Sequence, residues 1–326
     1  MPDEQIDISA LFTFQAGQAE GRSPQYAELC RRLADDPRVG ALFETPPRWD
    51  APLRLLSGLH FLVLRGDIGW DGAVDAIGTH YGFLREFVAT RSVQTNEVQR
   101  CWMLLPCFLE VARRTAASVL DVIELGSSAG LNLGWPDYRY RYAEGEWGAP
   151  DARLALEGEE RGIVPAALLS TPITVRDRTG IEISPIDVTD PDGATLLKSF
   201  VWPDQAWRFE QLDRAIATTR DNPPPIIVGD LVTLLPDLLA RRRHDGLTVV
   251  WETAALSYLP EERRRAVREC LEQAGETQQV AFVTTGRADN GDETCYGMNV
   301  RIWPDGQRVQ VARADFHGRW IDWLVP

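Results

Sequence analysis

Histidine is scarce in this chain and never spaced for a metal. Four histidines stand at 60, 80, 244 and 317, with no H-x-x-x-H or H-x-H pattern, so a zinc centre is not expected. The five cysteines, at 30, 101, 107, 270 and 295, form no C-x-x-C and are odd in number, which argues against both a zinc finger and a disulfide framework. No apolar run approaches the roughly 20 residues needed to span a bilayer; the stretch around Trp102–Leu109 falls well short. The opening MPDEQIDISA lacks a basic region followed by an apolar core, so no signal peptide is expected. Basic charge is also lacking. The formal charge is -14 and the pI about 4.8, which argues against a protein that coats nucleic acid. No internal repeat is visible. Together these absences point to a soluble protein of the reducing cytoplasm, with neither membrane nor nucleic acid as partner.

What is present is apolar and patterned. The 326 residues are 44% hydrophobic and include 11 Trp, too much for a solvated coil and enough for a sizeable core. Residues 1–117 read as an all-α domain. Ser23 caps a helix that Pro24 opens, Leu53–Leu64 is apolar nearly all round, and Phe83–Val88 belongs to another helix. Asn96–Ala117 reads as a long helix capped by Thr95 or Asn96. From Ser118 the pattern changes. Val119–Leu125 reads as a buried strand, followed by candidate strands Ile181–Ile183, Ile226–Val228, Leu247–Trp251 and Val280–Thr284. Helices at 205–219, 231–243 and 261–274 alternate with them. This predicts an α/β fold: a Rossmann-like, doubly wound, mostly parallel sheet over 118–326. It should end in an antiparallel hairpin, because Pro304-Asp305-Gly306-Gln307 separates two strand-like runs. Residues 134–172 look like an insertion with short irregular strands.

The most informative segment is Glu124-Leu125-Gly126-Ser127-Ser128-Ala129-Gly130-Leu131-Asn132, at the end of the first strand. Ligands of open α/β sheets bind at such strand ends. In a nucleotide-binding reading, Gly126 permits a tight turn, Gly130 lets the next helix approach, and Glu124 accepts hydrogen bonds from the ligand. In a second reading Gly126–Gly130 is a G-x-S-x-G nucleophile elbow, with Ser128, Asp230 and His317 in hydrolase order. The third possibility is a glycine turn that only packs.

Later strand ends add polar groups. Glu182 can accept from both hydroxyls of a ribose diol, although it lies 58 residues after Glu124 where about 20 is usual, and Asp187 competes with it. Asp230 can accept from an adenine amine, or simply cap the next helix, and Leu231 follows it. Glu252 and Tyr258, at the fourth strand end, would face a reacting group. Asn96, Glu97 and Arg100 share one turn if the helix begins where its cap suggests. Tyr138-Arg139-Tyr140-Arg141-Tyr142 is either a strand with an aromatic face or a lid over an anionic or planar substrate.

Several segments together carry a resemblance: ELGSSAGLNL at 124–133, the Tyr138–Tyr142 run, VQTNEVQR at 93–100, VWPDQ at 201–205, GDL at 229–231 and ADFHGRWIDW at 314–323. They resemble the bacterial family known as Domain of Unknown Function 2332, whose core is similar to class I S-adenosylmethionine-dependent methyltransferases. That similarity rests on Glu124, Gly126, Gly130, an acid after the second strand, Asp230 and the terminal hairpin. It implies S-adenosylmethionine held by Glu124, Gly126, Ser127, Ser128, Gly130, Asn132, Glu182, Asp230 and Leu231. The polar cluster before the long helix and the aromatic-basic run after the glycine loop suggest a small polar substrate lined by Asn96, Glu97, Arg100, Tyr138 and Arg139, opposite Glu252 and Tyr258, where the chemistry is expected. The sequence departs from the pattern at Ser128, where many methyltransferases have glycine, and no diagnostic tetrapeptide follows the fourth strand. The alternatives are the serine hydrolase and a non-catalytic ligand-binding protein.

Overall fold

Local sequence sets the first helices. Ser23 Oγ accepts from the Tyr26 N–H and Pro24 fills the first turn, so the helix Pro24–Ala34 starts where its cap stands. Ala51–Arg65 ends on Gly66 in the left-handed conformation that glycine adopts without strain. The computed structural model describes residues 7–44, 47–94, 96–242 and 245–326; Thr95, Arg243 and His244 lie outside them. Among the described residues no helix is long and apolar enough to cross a membrane.

The chain divides into two compact units, Met1–Thr95 with Ile186–Asp213, and Asn96–Pro185 with Arg214–Pro326. The first is helical. Its core gathers Phe12, Leu33, Leu55, Leu59 and Ile77, all buried, and Pro191–Ser199 packs on Ala51–Arg65. The division therefore precedes the helix Arg100–Thr115 instead of following Ala117. Every residue from Cys101 to Ala112 is buried, so this helix is a layer of the second unit and not the surface of a helical domain. It also begins later than its sequence suggests. Asn96 has φ 34°, and Asn96–Gln99 form the turn that precedes it.

Among the described residues the second unit carries twelve strands, numbered along the chain: β1 Val119–Leu125, β2 Arg139–Tyr142, β3 Gly145–Trp147, β4 Ala155–Glu157, β5 Glu159–Gly162, β6 Thr174–Glu182, β7 Ile226–Val228, β8 Leu247–Glu252, β9 Val280–Arg287, β10 Tyr296–Ile302, β11 Val309–Ala314 and β12 Trp320–Trp323. Nine of them form one sheet in the order β5-β12-β11-β10-β9-β8-β1-β6-β7. From β7 to β9 the strands are parallel. In chain order that stretch reads 3-2-1-4-5, the doubly wound arrangement, with its switch point between β1 and β8. The antiparallel end is larger than the expected pair: β9, β10, β11 and β12 form a meander, and β5 closes the edge parallel to β12. The insertion at 134–172 thus supplies a separate sheet, β3-β2-β4, and one strand of the main sheet.

Both faces of β1 and β8 are covered, which is why these strands read as nearly continuous apolar runs. Alternate residues point to opposite sides. Ile123, Val250 and Phe282 meet Leu235, Val267 and Leu271 of the helices Leu231–Ala240 and Glu261–Gly275. Trp251 faces the other way, edge-on to Phe108 of the buried helix, with ring centroids 5.6 Å apart.

Candidate functional site

The glycine loop turns sharply at the C-terminal end of β1. Gly126 has φ 75° and Gly130 φ 73°, and Ser128 between them is held at φ 53°, a conformation a side chain rarely adopts. A Cβ at Gly126 would lie 2.6 Å from Ala255 Cβ, so glycine is needed for the close approach of the loops after β1 and β8. A Cβ at Gly130 would meet Pro224 at 2.9 Å, ahead of β7. The approach that Gly130 allows is therefore to a neighbouring loop. A short 3-10 turn, Asn132–Asp137, follows the loop, and β2 comes next.

Polar groups collect beneath this loop. The Ser128 N–H donates to Glu182 at 2.9 Å and the Ser184 N–H donates to the other Glu182 oxygen at 3.1 Å. Asp187 instead closes a local turn with Thr189, so Glu182 is the acid that meets the loop. Glu124 is buried, and burial followed by the negative charge of Glu182 pushes its carboxyl well above the usual range, against a hydrogen bond with Asn132. Asn132 also accepts from the Cys101 thiol at 3.5 Å. Among the described residues, three buried oxygens here have no partner: Glu124 Oε2, Ser127 Oγ and Asn96 Oδ1. Asn96 is anchored by its amide, which donates to the Ser127 carbonyl at 3.3 Å. Ser127 packs over Gly180, where a Cβ would collide with its hydroxyl.

Asp230 is largely committed. One oxygen accepts from the Val232 and Thr233 N–H groups as a helix cap, and the other pairs with Arg263. Burial opposes its ionisation, but Arg263 and Thr233 outweigh that and hold its carboxyl below the usual range. Leu231 packs into the apolar layer under the parallel strands.

Across the switch point, Glu252 ends β8. It is buried, with one oxygen accepting from Leu256 N–H and the other from Thr285 N–H, both at 3.2 Å. Burial lifts its carboxyl to about 7, against those bonds and the positive charge of Arg100. Arg100 donates to the Phe316 carbonyl at 2.9 Å and lies over the Tyr296 ring at 5.9 Å. Glu252, Tyr296 and Phe316 line an open cleft of about 960 Å³. Ala254, at φ 68°, is a second strained residue at this edge. Tyr258 stays 67% exposed and outside the cleft lining, so the expected pairing with Glu252 is not assembled.

The polar segment before the buried helix has a partner that its sequence did not announce. Glu97 is buried and its carboxylate lies 3.1 Å from His317 Nδ1. Gln99 donates to the Gly318 carbonyl at 3.1 Å, and a Cβ at Gly318 would lie 2.5 Å from the Gln99 carbonyl. Asp315 organises the same loop by accepting from the His317 and Arg319 N–H groups. The segments 93–100 and 314–323, far apart in sequence, thus meet. This arrangement does not assemble the hydrolase triad, because His317 faces Glu97 while Asp230 is bound by Arg263.

Two expected substrate residues are corrected. Tyr138 is fully buried and donates to the Leu131 carbonyl at 2.6 Å. Arg139 donates to the Pro150 carbonyl at 2.8 Å and pairs with Glu146 on the small sheet. The run is a strand: Tyr138, Tyr140 and Tyr142 face inward, and burial pushes all three hydroxyls up.

The fold and these strand ends define a Rossmann-like α/β protein with a polar corner between β1 and β6, beside the switch point of its sheet. Within that class, the chain belongs to the family described as "Uncharacterized protein conserved in bacteria (DUF2332)", which matches residues 9–323. No curated protein matches the chain.

Proposed function

We propose that this chain is an S-adenosylmethionine-dependent methyltransferase-like protein, acting in the cytoplasm on a small polar metabolite. One observation carries the reading. Beside the switch point of a 3-2-1-4-5 sheet, a Gly-Ser-Ser-Ala-Gly turn rests on Glu182, and next to it Glu124 and Asn96 keep buried oxygens without partners among the described residues. Buried acceptors normally find donors, and a ligand that carries donors would satisfy these.

The residues fit such a cofactor at the first two strand ends. An ionised carboxylate offers about four acceptor positions, so Glu182 can take ribose hydroxyls while holding Ser128 and Ser184. Glu124 and Asn96 would accept from an ammonium group. Asp230 has least to offer, since its cap and Arg263 already occupy it. When bound, the cofactor supplies an activated methyl group. The protein's part is to position the substrate, exclude water and, for a protonated acceptor atom, remove a proton. Glu252 suits that proton removal, because a carboxyl lifted to about 7 by burial is poised to take a proton near neutral pH.

Photolabelling with radiolabelled S-adenosylmethionine tests the reading. Label is expected on peptides containing 124–132 or 182–184. Absence of label at those peptides overturns it. Binding without methyl transfer to any acceptor would instead favour the ligand-binding alternative. One observation favours the hydrolase, the strained φ of Ser128. Fluorophosphonate labelling of Ser128, lost in Ser128→Ala, would establish that reading.

A further inference from the structure

The cleft that begins at Glu252 continues onto the antiparallel end of the sheet, where its lining turns cationic. Arg264 and Arg268 come from the helix Glu261–Gly275, Arg287 from the end of β9, Arg301 from β10, and Arg308 from just before β11. Along β10, Met298 and Val300 are buried on one face, so Asn299 and Arg301 occupy the other and look into the cleft.

Four of these arginines have acidic partners. Arg264 and Arg268 share Glu261 at 2.8 and 2.7 Å, Arg287 pairs with Glu293 at 3.1 Å, and Arg308 pairs with Asp289. Arg301 has none among the described residues. Its guanidinium donates to the Gly306 carbonyl at 2.7 Å. The acids at the rim are already engaged: Asp289 by Arg308, Glu293 by Arg287, and Asp292 by the N–H and hydroxyl of Thr294. Asn299 Oδ1 accepts from Arg308 at 2.6 Å and so fixes a second guanidinium at the same wall.

Arg301 is thus a partly buried cation in a like-charged neighbourhood. Burial, then Arg308 and Arg268, hold its guanidinium below the ordinary range, opposed only by Glu272. A guanidinium does not deprotonate, so the unfavourable environment persists as free energy that a bound anion would relieve.

We propose that Arg301 and Arg308, with Arg268 beside them, form an oxyanion subsite that holds the phosphate or carboxylate of a small ligand lying in the Glu252 cleft. Planar guanidinium groups match both oxyanions through paired N–H donors. The subsite stands apart from the cofactor proposal, because it uses none of the residues at the ends of β1 and β6.

The test uses the full chain, with inorganic phosphate and succinate as separate probes and sodium chloride at equal ionic strength as the control. Thermal midpoints should rise with at least one probe, at roughly 10 mM, beyond the chloride control. A response to phosphate alone or succinate alone identifies the group recognised. In Arg301→Met the response should weaken at least about tenfold in apparent affinity, as expected for losing a charge-assisted contact. Arg301→Met should also be as stable as the parent without probe, because an unpaired charge has been removed, whereas a merely structural arginine would leave a destabilised protein. Arg308→Gln provides a second variant should the first fail to fold. The proposal is overturned if neither probe exceeds chloride, or if both variants retain the full response. S-adenosylmethionine binding to Arg301→Met should be unchanged, so failure of one proposal does not disguise failure of the other.

Discussion

The Ser128 N–H donates to Glu182 at 2.9 Å, which ties the loop after β1 to the end of β6. This contact spans 54 positions of sequence and makes one corner from two strand ends. It also explains how Ser128 stays at φ 53°: the strained turn gives its N–H a charged acceptor. The Glu124 carboxyl is buried beside this corner.

Glu252 should give the protein a distinctive pH response. Its carboxyl lies at about 7 in the fold, against an ordinary 4.5. The stability it contributes is fully present below 4.5 and is lost as pH rises through 7. Glu252→Gln removes that dependence. Relative to the parent, the variant should gain roughly 3 kcal/mol between pH 4 and pH 8, whatever constant cost the amide brings. Urea melts at both pH values measure this, and parallel curves for the two proteins would contradict it. If Glu252 removes a proton in turnover, the parent's activity should rise through pH 7 and the variant's should not.

His60 acts in the opposite direction. Its ring is buried, with Nδ1 3.2 Å from the Ser199 carbonyl, and burial lowers it to about 4 from 6.5. Tyr26, Trp70 and Phe209 surround it. Its contribution is present above 6.5 and is lost as pH falls through 4. His60→Asn should flatten the acid loss of stability by roughly 3 kcal/mol over that range. An unchanged acid slope in denaturant titrations would show that His60 does not control it.

Tyr138 separates a core role from a substrate role. Tyr138→Phe removes one of the two donors to the Leu131 carbonyl, which keeps the Gly134 N–H at 3.0 Å, and should cost about 1 kcal/mol. Ligand affinity should not change. A stable variant with weakened binding would restore Tyr138 to the pocket.

Features carried by a few neighbouring residues were legible in the sequence. Ser23-Pro24 marks a helix start, the strand-like run Ile226–Val228 is a strand with those bounds, and the apolar run of β1 signals a buried strand. Features set by distant partners were not. Trp320–Trp323 is too short to signal a strand alone and becomes one by pairing with β11 and β5. Asn96 and Glu97 read as helical, but contacts with Ser127 and His317 hold them in a preceding turn. Arg301 carries no local sequence signal, because its surroundings depend on which residues the antiparallel register brings beside it. For the site, the glycine loop and the acids at strand ends could be located; whether each acid was free or engaged could not.

The cofactor proposal meets its most direct test in calorimetric titration of the full chain with S-adenosylmethionine and with its demethylated product. The account expects saturable binding to the parent protein and at least about tenfold weaker binding to Glu182→Ala, as for the loss of a charged acceptor. Circular dichroism should confirm that the variant remains folded. No heat with either ligand at about 1 mM, a concentration that reveals even weak sites, would contradict the account. Equal affinity in folded Glu182→Ala would contradict the placement of the cofactor at the Ser128–Glu182 corner.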